Sequence, residues 1–145
     1  MTRVELLTFL PATLLESFVP PCYMGARSYA EPTTKWLTGP CYAAFKARYF
    51  DAYLAKWQYR WECRDFAAAF RLFAVECWAT STELTTLDND DGISVGEMWY
   101  KPTPDTAHAI CPIITNEGLL YLEPQNGQLC TLTSEQYSSR FFLRF

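Results

Sequence analysis

Cys63 begins a segment whose composition can activate a thiol. The stretch WECRDFAAAF, residues 61–70, places the cysteine between charged residues and ahead of an alanine-rich, apolar run. A helix N-terminus lowers the pKa of a nearby thiol, so Cys63 is a candidate nucleophile. The alternative is that Cys63, one of six cysteines, packs as a small apolar residue. Asp65 in the same first turn would disfavour a thiolate, which Arg60 and Arg64 could offset.

The single histidine is the candidate base. His108 begins the apolar run HAICPII, and Glu123 ends the next run, GLLYLEP, so the two runs predict a β-hairpin. A loop at Thr115–Asn116 places His108 directly opposite Glu123, whereas a loop at Asn116–Glu117 places Ile110 there. Because side chains alternate along a strand, both registers put the imidazole and the carboxylate on one face. A lone histidine is more often structural or exposed, and that alternative stays open.

Three motifs resemble the transglutaminase-like branch of the papain-like cysteine enzymes. The helix motif C-x-D-x-A is matched by Cys63, Asp65 and Ala67. A strand-opening histidine and a strand-closing acid followed by proline are matched by His108 and Glu123-Pro124. The resemblance covers roughly residues 57 to 128, about half of the chain. It implies a papain-like or transglutaminase-like core in which a Cys-His-Glu triad cleaves amide bonds through a thioester.

Two positions depart from the usual family pattern. Glycine usually precedes the cysteine, whereas this chain has Glu62, whose side chain could crowd the oxyanion site. The acidic member is usually aspartate, and Glu123 is one methylene longer. These departures concern the efficiency of catalysis more than the fold.

The expected substrate site combines oxyanion donors with aromatic side chains. The backbone N–H of Cys63 is one candidate donor, and the resemblance implies a second in Gln58, which could equally be an exposed residue at a helix end. The aromatic residues that could line a substrate cleft, each of which is also a candidate for the core, are Trp57, Trp61, Trp99 and Tyr100.

Apolar periodicity predicts helices in the first half of the chain and strands in the second. Helices are expected over 3–18, 40–57 and 63–78, the second with Thr38 as its cap, and 19–34 is expected to be a loop. Strands are expected in ISVGEMWYK, HAICPII and GLLYLEP, with QLCTL and RFFLRF as edge strands. This order predicts an α+β fold, with N-terminal helices packed on a C-terminal antiparallel sheet, in a single domain over 1–145.

Composition argues against several classes of function. The net charge is -4 and basic residues do not cluster, so a sequence-independent nucleic-acid surface is not expected. No apolar stretch approaches the ~18 residues of a membrane-spanning helix, and the first 21 residues are interpreted as an amphipathic segment, not a signal peptide. The sequence has no C-x-x-C pair, so a structural zinc site is not expected. The segment LTTLDNDDG departs from the calcium-loop pattern. We therefore expect a cytoplasmic protein with reduced thiols, without metal or cofactor, and with no membrane partner.

The leading hypothesis is a thiol hydrolase of amide or isopeptide bonds, a cysteine peptidase or amidase whose partner is a protein or peptide substrate. Transfer of the acyl group to an amine, as in transglutaminases, is a close variant. A non-catalytic binding or inhibitor module on the same fold, of a kind that a phage could direct against a host protein, is an alternative. A metal site formed by Cys63, His108 and Glu123 is a third reading that lacks a fourth ligand. The sequence leaves the oligomeric state open.

Overall fold

A helical segment, α1, opens the part of the chain that the computed structural model describes, which is residues 29–51, 61–80 and 92–145. It runs over 34–51 as α-helical Thr34–Trp36, π-helical Leu37–Cys41, α-helical Tyr42–Lys46 and π-helical Ala47–Asp51. The prediction that Thr38 caps this helix is wrong, because the cap is Thr33, whose side chain accepts a hydrogen bond from the Trp36 N–H at 3.2 Å. The Thr38 hydroxyl instead donates to the Thr34 carbonyl.

The early start of α1 is explained by what it buries. Trp36 and Leu37, both in this first part of the helix, are buried in the core, which removes two large apolar side chains from water. Gly39, with φ −97° and ψ −105°, absorbs a kink directly before Pro40, where helical geometry is disfavoured. The predicted loop over 19–34 is also wrong at its end, since Tyr29–Ala30 forms strand β1. The predicted helix over 3–18 lies outside the described residues.

Helix α2 spans Cys63–Thr80, close to the predicted 63–78. Its apolar face follows i, i+3, i+4 spacing and is buried through Phe66, Phe70, Phe73 and Ala74. Phe70 meets Phe45 of α1 edge-on, with ring centroids 5.2 Å apart. This aromatic contact joins the two helices, and the sheet covers the rest of the same apolar cluster.

Five antiparallel strands form the sheet: Glu97–Thr103 (β3), Thr106–Thr115 (β4), Gly118–Glu123 (β5), Gln128–Cys130 (β6) and Phe142–Arg144 (β7). Their order across the sheet is β6-β5-β4-β3-β7. Strands β6 and β7 are edge strands, as predicted. Between β6 and β7 in the sequence lies a short capped helix, α3 at Ser134–Ser138, for which no prediction was made.

The predicted strand ISVGEMWYK is split in two. Gly92–Ile93 forms β2, which pairs in parallel with β1, and β3 begins only at Glu97. Ser94 is fully buried between them, and its hydroxyl lies 2.8 Å from the Ala30 carbonyl and 2.6 Å from that of Ile114. At Ser94 the chain passes from the two-stranded sheet to the five-stranded sheet, and the Ser94 hydroxyl contacts a carbonyl in each.

The β4–β5 hairpin adopts one of the two predicted registers. Thr115 pairs with Gly118 and Cys111 with Leu122, so the two-residue loop is Asn116–Glu117. Gly118 has φ 112°, a conformation that glycine adopts readily. Helices and a five-stranded antiparallel sheet confirm the predicted α+β class. No helix among the described residues is long and apolar enough to span a membrane.

Candidate functional site

The predicted contact between imidazole and carboxylate is present. His108 Nε2 and Glu123 Oε2 are 2.6 Å apart, and the side chains are 22% and 17% exposed. The second carboxylate oxygen, Oε1, accepts a hydrogen bond from the backbone N–H of Gln125 at 3.1 Å. Because Glu123 occupies Nε2, the neutral imidazole carries its proton there, and Nδ1 is left as the nitrogen that can accept a proton.

A tight turn after β5 holds Glu123 in place. The Gly127 N–H donates to the Glu123 carbonyl at 2.8 Å, and Gly127 has φ 75°. The ring of Tyr42 in α1 packs directly on this glycine, and its hydroxyl donates to the Pro124 carbonyl at 3.3 Å. Burial, followed by the nearby charge of Glu123, raises the pKa of Tyr42 to about 12. The phenol therefore stays neutral beside the carboxylate, and α1 fixes the turn.

Cys63 is the first residue of α2, and its partly buried side chain packs against the core cluster between α2 and the sheet. Its N–H is one of the first four of the helix, which have no intrahelical acceptor. The Asp65 carboxylate accepts a hydrogen bond from the Glu62 N–H at 2.8 Å, while the Glu62 carbonyl accepts from the Phe66 N–H at 3.2 Å. Asp65 thus caps the helix start, with one carboxylate oxygen committed to the Glu62 amide.

A cleft of about 250 Å³ opens where α2 and β4 begin. Cys63 and His108 both line it. Glu62 and Arg64 lie at its charged side and form an ion pair at 3.1 Å. Its apolar lining is formed by Trp99, Ala107, Ala109 and Phe141.

The residues predicted to bind substrate or the oxyanion are Gln58, Trp61 and Trp99, and the two that the structure describes do not share one location. Trp99 lines the cleft. Trp61 packs on the rings of Tyr49 and Phe66, at 6.0 and 5.3 Å between centroids, and does not appear among the residues of the cleft. Gln58 lies outside the described residues.

Two further aromatic residues, Tyr100 and Phe141, lie next to the imidazole and at the cleft, respectively. Tyr100 pairs with His108 across β3 and β4, and the rings meet edge-on at 5.8 Å. Burial raises the pKa of Tyr100, so this buried neighbour of the imidazole remains neutral. Phe141 reaches the cleft from the segment RFFLRF, in which alternation alone does not single it out. No group of three or more potential metal ligands is found among the described residues.

The comparisons with known proteins give a likeness of fold. No family model and no curated protein matches this chain. A solved structure of the Polyporus squamosus lectin, bound to the human-type influenza-binding epitope Neu5Acα2-6Galβ1-4GlcNAc, matches with a TM-score of 0.68 and 18% identity. A second structure, described as a PSL1a-E64 complex, matches with a TM-score of 0.67 and 16% identity. This chain shares the fold of about half of each of these neighbours.

The match covers nearly all of this chain and half of each neighbour. It extends over 95% of this chain and 48% of the lectin chain in the first case. In the second case it extends over 100% of this chain and 51% of the other. The chain therefore spans about half the length of these neighbours, and the likeness concerns architecture alone.

Proposed function

We propose that this protein is a thiol hydrolase of amide or isopeptide bonds, with a papain-like arrangement of Cys63, His108 and Glu123. The observation that carries the proposal is the 2.6 Å contact between His108 and Glu123 at the cleft that Cys63 also lines. A thiol at a helix start, an imidazole with one nitrogen free and a carboxylate on the other nitrogen are the groups that acyl transfer through sulfur requires.

In the proposed reaction the Cys63 proton moves to His108 Nδ1, and the resulting thiolate attacks the carbonyl carbon of the amide. The Glu123 carboxylate stabilises the imidazolium through Nε2, as their short contact allows. The imidazolium then protonates the leaving amine, the C–N bond breaks, and a thioester with Cys63 remains. Water, deprotonated by His108, attacks the thioester and releases a carboxylic acid and the free thiol.

Charge on the carbonyl oxygen needs donors near the helix start. The Cys63 N–H belongs to the first turn of α2, where the helix dipole also favours negative charge. Gln58 remains the proposed side-chain donor. Because Asp65 accepts a hydrogen bond from the Glu62 amide, one of its oxygens is held at the cap rather than left free to approach the thiol.

The description of one structural neighbour suggests a probe. That structure is a complex with E64. E64 carries an epoxide, which a thiolate opens to leave a stable thioether. An activated Cys63 in this chain should therefore gain the mass of one E64 molecule, and Cys63→Ser should gain none.

The proposal is tested by the rate of iodoacetamide labelling of Cys63 from pH 4 to 10, read by mass spectrometry. In the native protein we expect fast labelling below pH ~7, whereas His108→Ala should move the profile towards that of a free thiol near ~8.5. Glu123→Gln keeps the side-chain volume but removes the charge, and should lie between the two. Identical profiles for the native protein and His108→Ala would exclude an activated thiol.

Turnover separates hydrolysis from acyl transfer. A peptide library incubated with the protein should yield new carboxyl termini if water is the acceptor. With an added primary amine, amide products would identify the transglutaminase-type variant. Loss of both activities in Cys63→Ser assigns them to this thiol.

A second candidate function is non-catalytic binding of a glycan, favoured by the lectin description of one neighbour. Aromatic side chains such as Trp99, partly buried at the edge of the cleft, also suit contacts with sugar rings. Titration with Neu5Acα2-6Galβ1-4GlcNAc, followed by calorimetry, tests this function directly. Saturable binding that survives in Cys63→Ser, together with an unreactive thiol in the wild type, would favour it over hydrolysis.

A further inference from the structure

We propose that the cleft beside Cys63 selects a large apolar side chain, aromatic or long aliphatic, next to the amide bond that is cleaved. Trp99 and Phe141 are the specificity-determining residues. This inference rests on the proposed function and specifies the substrate class of the same site. It rests on two observations. The rings of Trp99 and Phe141 are held by contacts with their neighbours, and the charged side chains around them already have partners.

Trp99 is fixed from two sides. Its indole Nε1 donates to Glu97 Oε1 at 2.7 Å, and its ring packs against Phe142 with centroids 4.6 Å apart and planes at 31°. Glu97 is only 2% exposed and is held by Arg144 at 2.8 Å and 2.6 Å. A ring with so little freedom offers a preformed apolar surface, so a ligand does not have to order it on binding.

Phe141 extends this surface into solvent. It is 37% exposed and meets Trp99 edge-on at 6.1 Å, and its N–H donates to the Trp99 carbonyl at 2.9 Å. Ala107 and Ala109, whose side chains are small, line the same cleft of about 250 Å³. Water has an average volume of ~30 Å³, so one large side chain would displace several molecules from an apolar surface.

Paired charges at the cleft disfavour a charged side chain. Of the charged or titratable residues that line the cleft, Glu62 and Arg64 are paired with each other at 3.1 Å, and His108 is hydrogen-bonded to Glu123. Among the described residues that line the cleft, a substrate carboxylate or ammonium would thus have to compete with an existing ion pair for its counter-charge. Desolvating such a group without a partner is unfavourable, whereas burying an apolar group is favourable.

The test uses protection of Cys63 from iodoacetamide by small amino-acid derivatives, so that it needs no turnover. N-acetyl-phenylalanine amide and N-acetyl-leucine amide should halve the labelling rate at about tenfold lower concentration than N-acetyl-alanine amide. The aspartate and lysine derivatives should protect no better than alanine. Equal protection by all five derivatives would overturn the proposal.

Variants assign the effect to the aromatic surface. Phe141→Ala should remove most of the phenylalanine preference, a loss of about three- to tenfold, while Phe141→Leu should retain much of it. Leu129→Ala, which removes another exposed apolar side chain (42%) on β6, is the matched control and should leave the preference unchanged. Circular dichroism and chemical denaturation establish that each variant is folded. An unchanged preference in folded Phe141→Ala would refute the assignment.

The two proposals fail in different ways. A labelling profile typical of an ordinary thiol would refute the proposed hydrolase, yet the order of protection would still report the apolar subsite. An activated thiol without side-chain preference would refute the subsite and leave the hydrolase in place.

Discussion

Replacing Gly127 by alanine tests how firmly the turn that carries Glu123 is held against α1. An added Cβ at this position would lie 2.8 Å from Cζ of Tyr42 and closer still to Cδ1 and Cε1. The ring cannot retreat freely, because it also packs on Phe45 and Phe70 at 5.9 and 6.1 Å. We expect about 1–2 kcal/mol from the left-handed backbone, at φ 75°. Overpacking should add about 1–3 kcal/mol.

Gly118→Ala is the matched control. Gly118 also has a positive φ, 112°, but a Cβ there would meet nothing within 4 Å. Its substitution therefore carries the backbone strain without the steric clash. Free energies of unfolding from urea titrations should show Gly127→Ala to be the more destabilised variant by about 1–3 kcal/mol.

A double variant isolates the contact with the ring. Tyr42→Ala removes the atoms that the new Cβ would meet, so the combined cost of Gly127→Ala and Tyr42→Ala should be smaller than the sum of their separate costs. The expected coupling is about 1–3 kcal/mol. Additive costs, or equal destabilisation by Gly127→Ala and Gly118→Ala, would refute the packing argument.

Two further predictions concern buried polar groups. Burial raises the pKa of Cys41 to about 12 and that of Cys130 to about 11. The thiolate is the reactive form of cysteine. About 1% of Cys130 should therefore be ionised at pH 9, and this fraction should rise about tenfold per pH unit until the pH approaches the pKa of Cys130. Peptide mapping after iodoacetamide treatment should therefore find both thiols slow at pH 9 and fast only in unfolded protein, and rapid native labelling of either would contradict the burial. Ser94→Ala removes the hydroxyl between the Ala30 and Ile114 carbonyls and should lower the free energy of unfolding by about 1–3 kcal/mol. The exposed Ser138→Ala should change it by less than about 0.5 kcal/mol, and equal effects in urea titrations would show that the buried bridge is unimportant.

Local signals predicted the pair at the centre of the site. The residues that begin β4 and end β5 could be placed on one face because alternation constrains both possible registers in the same way. The choice between registers was not accessible, since both loops contain acceptable turn residues. In the structure the loop is Asn116–Glu117, the Glu117 carboxylate accepts from the Thr34 hydroxyl at 3.2 Å, and Gly118 takes the positive φ.

Features that depend on distant parts of the chain were missed. Thr33 and Thr38 are equally good caps by type, and only the burial of Trp36 in the tertiary core distinguishes them. The role of Phe141 at the cleft depends on the pairing of β7 with β3, in which Trp99 lies opposite Phe142. Because β3 and β7 are far apart in the sequence, their pairing leaves no periodic signal in the short C-terminal segment.

The hairpin loop at Asn116–Glu117 makes the site sensitive to chain length rather than to side-chain identity. The contact between His108 and Glu123 depends on the number of residues that separate each of them from the turn at the far end of the hairpin. Inserting or deleting one residue in either strand would point the carboxylate away from the imidazole, without altering a single atom of His108 or Glu123. Substitutions at the loop leave that count intact. Along this stretch, homologues that keep the contact between His108 and Glu123 should therefore vary in composition while conserving spacing.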